Sequence, residues 1–153
     1  ARIASVLEDT ACDLGAAARA IAALPAAWEA PLGLFRSPRD YMLAAGRALG
    51  GGSGLVRGVL RGMREVGQQL WAAPAPDGWP DTMGAWLGPD TLLRRVELAQ
   101  AMARAAPVAD PLGRAEALLG PLLRPATATA IRRAPSRNDA MTLLLGSPEW
   151  MRR

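Results

Sequence analysis

The sequence predicts an all-α fold, an irregular bundle of about seven short helices with a long Trp/Pro-rich loop. Three observations carry this reading. β-Branched and aromatic residues are sparse, with aromatics at 5%, while Ala and Leu dominate, which favours helix over strand. Apolar residues recur at spacings of three and four. Ser or Asp followed closely by Pro or an acid recurs along the chain, the mark of a helix N-terminus, and it does so without the fixed period of a solenoid. At 153 residues the chain has the length of one domain able to bury a core, so 1–153 is read as a single helical domain.

A first helix is expected from Ile3 to Glu8. A second starts at the cap Asp13 and carries Leu14, Ala17, Ala18, Ile21 and Leu24 until Pro25, which opens a further turn through Trp28. Ser37-Pro38-Arg39-Asp40 caps a helix to about Leu49. Gly50-Gly51-Gly52-Ser53-Gly54 follows. It lacks the Lys-Ser/Thr ending of a phosphate loop and follows a helix, so it is read as a C-cap and connector. The next helix is expected from Leu55 to about Leu70, with Leu55, Val59, Leu60, Met63, Val66 and Leu70 on the core face and Arg57, Arg61 and Arg64 on a solvated one.

From Trp71 to Pro89 the helical pattern breaks, and three of the five tryptophans, Trp71, Trp79 and Trp86, fall there. Tryptophans in a loop either pin it to the helices or line a recognition surface; pinning is favoured, with Trp79 mostly buried and Gly78 allowing a sharp turn. Pro89-Asp90 opens a long helix with Leu92, Val96, Ala99, Ala103 and Ala106 on one face, ended by Pro107. Asp110-Pro111 opens a helix to Leu119, Pro125 one through Ile131, and Ser136 caps the segment leading into Met141 to Leu145. Ser147-Pro148-Glu149 begins a final turn.

Missing residues exclude several chemistries. With no His there is no imidazole base, Ser-His or Cys-His pair, or imidazole metal ligand. Cys12 is the one cysteine, which rules out an internal disulfide and a thiolate zinc site; it is expected to be a small buried hydrophobe. No cofactor is expected. All 18 basic residues are Arg against 14 acids, a net charge of +4, read first as the codon bias of a GC-rich bacterial genome. Because these arginines are scattered from Arg2 to Arg153, nucleic acid is not an expected partner. No charge-free apolar run approaches the ~20 residues of a membrane span, so no membrane partner is expected either.

Several segments resemble, in order, the C-terminal region of the bacterial DUF1800 family. They are Ala23 to Trp28; Phe35-Arg36-Ser37-Pro38-Arg39-Asp40-Tyr41 through Gly50; Gly67 to Trp71 with Asp77-Gly78-Trp79-Pro80-Asp81; Trp86-Leu87 with Leu92 to Arg95; and Leu143 to Arg153, where Trp150 stands at a position at which the family often has Phe. The resemblance spans nearly the whole chain but implies no activity. It implies a longer parent with His-containing segments upstream of the matched region, so 1–153 is expected to be a C-terminal fragment. The missing N-terminal part and a DUF1501-type protein, similar to sulfatases and often exported, are the partners it suggests.

Two functional readings follow. The first is a non-catalytic helical domain that packs or binds through Trp79, Trp86, Asp77 and Asp81, with Arg57, Arg61 and Arg64 as a further surface. The second is part of an enzyme, in which Asp77, Asp81 and Arg94 or Arg95 complete a site whose other residues lie upstream. As a fragment, the chain should also expose apolar surface around its first helix or cover it by self-association.

Overall fold

A computed structural model describes residues 2–27, 33–80 and 82–153. The turn expected through Trp28, and Asp81, lie outside the described residues. Nine α-helices and no strand occur among those described, so the chain is all-α. The nine are α1 (Arg2–Asp9), α2 (Leu14–Ala22), α3 (Pro38–Ala48), α4 (Ser53–Glu65), α5 (Met83–Trp86), α6 (Pro89–Ala105), α7 (Pro111–Leu119), α8 (Pro125–Arg132) and α9 (Arg137–Leu145). The helix that sequence reasoning did not anticipate, α5, is a single turn inside the tryptophan-rich loop.

The chain divides into two compact units, residues 1–32 and 33–153. In the first, α1 packs on α2. Asp13 caps α2 as expected, its carboxylate accepting from the Gly15 N–H at 2.7 Å. Among its described residues Ala17 is the buried hydrophobe, no residue of α1 is buried, and Leu14 and Ile21 are exposed. Cys12 corrects the expectation of burial: its thiol is free and exposed. Ala11 and Cys12 both adopt positive φ (50° and 66°), turning the chain sharply so that the Cys12 N–H closes α1 onto Leu7 O at 2.8 Å. The turn uses Cys12 for its backbone and leaves the side chain outside.

The second unit holds the main core. Helix α9 is its centre, packed on α6, α7 and α8, while α3 pairs with α4 and both touch α6. The caps read from sequence are present: Ser37 Oγ accepts from the Asp40 N–H, an Asp110 carboxylate oxygen from the Gly113 N–H, and Ser136 Oγ from the Asp139 N–H. The last turn is tied by Ser147, whose Oγ accepts from Trp150 N–H and whose carbonyl accepts from Met151 N–H. It then runs beside the segment entering α3, with Arg36 N–H on Met151 O at 2.8 Å and Arg153 N–H on Leu34 O at 2.8 Å.

Two helical expectations are corrected. Helix α4 ends at Glu65 rather than near Leu70, because Gly67 (φ +87°) turns the chain and Gln68 N–H bonds back to Met63 O. Leu70 therefore falls outside the helix and is exposed, and Leu60, though within α4, is exposed as well instead of lying in the core. On helix α6 Ala99 and Ala103 are buried and Leu92 and Ala106 pack partly buried against the core as expected, while Val96 is exposed and Arg95, Leu98 and Met102 complete the buried face. The three glycines Gly50, Gly51 and Gly52 all take positive φ, and the N–H groups of the first two close α3 on Arg47 O and Gly46 O, the connector role expected of them.

The tryptophan loop is pinned by one indole above the others. Trp86 is 6% exposed, and its Nε1–H donates to Pro80 O at 2.8 Å. Trp79, expected to be mostly buried, is half-buried against it, ring centres 6.1 Å apart. Trp71 is 100% exposed. Gly78, at φ +97°, makes the expected turn, its N–H on Ala75 O.

Candidate functional site

An apolar groove opens between α3 and α4 of the 33–153 unit. Small residues set the two helices close together: the Gly46 position faces Val59, and Gly62 faces the end of the Met42 side chain. Leu43 and Gly46 of α3, Leu55, Val56, Val59, Leu60 and Met63 of α4, and Leu70 beyond it line the walls, with Gly51 and Gly52 at the connecting turn. The cavity measures about 320 Å³. Leu43, Val56, Leu60 and Leu70 are all exposed there. Among the described residues, the charged ones in its walls are Arg39 and Arg47, and no acid lines it.

Arg57 and Arg64 do not line this groove but lie beside its wall residue Leu60 on α4. They stand three residues before and four after Leu60, the spacings at which side chains are neighbours on a helix surface. Both are exposed. No carboxylate of a described residue pairs with Arg47, Arg57 or Arg64, whereas Arg61 is held by Glu65 at 3.1 Å and Arg39 lies 3.7 Å from Asp40. Arg57 and Arg64 of the arginine row found in the sequence thus neighbour the α4 wall of an apolar groove. Their position on the wheel, together on one side of Leu60, was the signal available for it.

The tryptophan loop borders a different cavity, a polar cleft of about 260 Å³ lined by Trp79, Pro80, Trp86, Phe35, Ser37, Asp40, Gln68 and Arg153 among others. Its polar groups serve one another: Asp40 accepts from Arg153 at 3.0 Å, and Gln68 Oε1 accepts from the Arg39 N–H at 2.7 Å, fixing the entry to α3. Trp79 and Trp86 thus share one cavity. Asp77 sits apart on an exposed turn.

Beneath the cleft lies Arg95, with no exposed surface. Its guanidinium carbon sits 4.6 Å from the Phe35 ring centre and 5.0 Å from that of Tyr41, and Nη2 donates to Arg36 O at 2.8 Å. Tyr41 Oη in turn donates to Arg95 O at 3.1 Å. Desolvation pushes the guanidinium down to about 10, with Tyr41 acting in the opposite direction, so it remains a cation at neutral pH. Arg36 repeats the stacking over Trp150, 5.0 Å from its centre. Arg95 is thereby taken up in joining α6 to the segment entering α3 and to the chain's last turn. Neither Asp77 nor the exposed Arg94 lines the groove or the cleft.

Among the described residues, no three His, Cys, Asp or Glu side chains are grouped so as to hold a metal ion. No described helix is long and apolar enough to cross a membrane. Neither the curated proteins nor the solved structures contain a match to this chain. A family model does match, over residues 1–152, and its description is a protein of unknown function, DUF1800. With a match covering all but the last residue, and a helical fold in accord with the segments that resemble it, the chain belongs to the DUF1800 family.

Proposed function

We propose that the 33–153 unit is a non-catalytic docking module whose α3–α4 groove receives the apolar face of a helix. The observation that carries this reading is the groove itself: Leu43, Val56, Leu60 and Leu70 stand exposed around one recess. Leaving such a contiguous apolar surface in water costs roughly 25 cal/mol per Å², and large patches of this kind on folded domains mark interaction sites. Two packed helices with an open seam offer a third helix the ridges and grooves it needs. The arrangement supports binding over catalysis because the arginine with the most perturbed environment, Arg95, is fully buried in structural contacts.

The test uses the full chain and a dye-labelled amphipathic helical peptide with Leu at i, i+4 and i+7 and uncharged Gln flanks, followed by fluorescence anisotropy. Saturable binding is expected, weakened at least about tenfold by Leu60→Glu, which places a charge in the seam. Leu60 is 46% exposed, so the helical circular dichroism should be kept by this variant. No saturable binding, or binding indifferent to Leu60→Glu, overturns the reading.

A further inference from the structure

The groove has a second property, the sign of its borders. Arg47 stands on the α3 side and Arg57 and Arg64 on the α4 side, all exposed and none paired with a carboxylate of a described residue. No acidic side chain of a described residue lines the recess between them. Charges along the rim of an apolar contact contribute little affinity individually, but arranged with one sign on both long edges they select the partner's sign and its orientation.

Resting on the docking reading above, we propose that the occupant is an acidic amphipathic helix, its apolar face seated on Leu43, Val56 and Leu60 and its flanking Glu or Asp side chains meeting Arg47, Arg57 and Arg64. Helical spacing makes the match geometric. A helix that places leucines at i, i+4 and i+7 carries its flanking residues on both sides of that stripe, where two rows of guanidinium groups would face them. Arginine suits such a border, since its planar fork takes a carboxylate with two hydrogen bonds. Trp71 follows the groove residue Leu70 and is fully exposed, held at φ 61°, and so offers the kind of aromatic anchor that dominates protein interfaces. A bilayer surface would also attract arginines, but the apolar residues here line a recess with walls, which suits inserted side chains better than a flat surface.

The test compares three peptides of one leucine pattern, flanked by Glu, Gln or Lys, on the full chain. The Glu-flanked peptide is expected to bind about tenfold tighter than the Lys-flanked one at about 0.05 M salt, with the gap closing as salt is raised. Doubly reversing the border with Arg57→Glu and Arg64→Glu, both exposed positions, should invert the order. Equal binding of the Glu and Lys peptides, with the Gln peptide still bound, overturns the acidic partner and leaves the docking reading standing. Failure of all three, the Gln peptide included, removes the docking reading itself. Binding to phosphatidylserine vesicles that outcompetes the Glu peptide and is lost in the reversed variant overturns the helix in favour of an anionic membrane surface.

Discussion

Tyr41 is the chain's one tyrosine, and its ring and hydroxyl are wholly buried beside Arg95. Burial raises its phenol well above the ordinary 10, the effect of the nearby Arg95 cation being smaller and opposite. An unfolded chain releases that proton near pH 10, whereas the folded one keeps it. Above pH 10 the unfolded state therefore binds fewer protons, and stability falls as pH rises. Arg95 works in the other direction, because a guanidinium held down to about 10 by burial binds its proton less tightly folded than unfolded. Phenolate absorbance separates the two contributions, since Tyr41 is its sole source. The expected titration shows no phenolate in the folded protein past pH 10 and its appearance together with loss of helical circular dichroism. Tyr41→Phe should soften the alkaline loss of stability while costing about 1 kcal/mol at neutral pH for the hydrogen bond to Arg95 O. A phenolate forming reversibly near pH 10 with helicity intact would contradict this account.

At the level of helices, packing between α3 and α4 turns on which glycine faces the neighbour. Gly62 is buried, and a methyl group there would run into the end of the fully buried Met42 side chain, while Gly58, one turn earlier on α4, is exposed and meets nothing. Gly58→Ala should stabilise by about 0.5–1 kcal/mol through helix propensity. Gly62→Ala carries the same gain but adds an overpacking cost of about 1–3 kcal/mol, so a net loss near 1 kcal/mol is expected in urea unfolding midpoints. Equal gains at both positions would show that Met42 yields freely. The same contrast explains what sequence revealed. Helix starts were legible because Asp13, Ser37, Asp110 and Ser136 act through local hydrogen bonds that need no tertiary partner. The place of Arg95 on the inward face of α6 was not, because it reads as solvated until Phe35, Tyr41 and the carbonyl of Arg36 are brought around it from distant sequence. The groove was hidden for a related reason: Gly67 ends α4 early and leaves Leu70 outside it, and Leu60, within α4, reads as core in sequence yet stands 46% exposed.

Across the chain as a whole, burial of the described residues is distributed unevenly between the two units. The hydrophobic core runs from Phe35 to Met151 and draws on α3, α4, α5, α6, α7, α8 and α9, whereas residues 1–32 bury Ala17 and keep Leu14 and Ile21 in solvent. Helices of 8 and 9 residues, such as α1 and α2, fall below the roughly 12–15 residues at which even favourable isolated helices become stable in water. With so little burial among their described residues, the packing of α1 on α2 offsets little of the entropy of ordering them. The 33–153 unit has the opposite balance, since its entry segment, its last turn and α6 are joined through Arg95 and the backbone bonds of Arg36 and Arg153. Residues 33–153 produced alone are therefore expected to be helical by far-UV circular dichroism and to melt in one cooperative transition. Residues 1–32 as a peptide should be largely coil, with helicity that declines gradually on heating. A 33–153 chain without a cooperative melt would show that its core depends on residues 1–32. A stably helical 1–32 peptide would show that α1 and α2 hold each other through more than the contacts of Ala17.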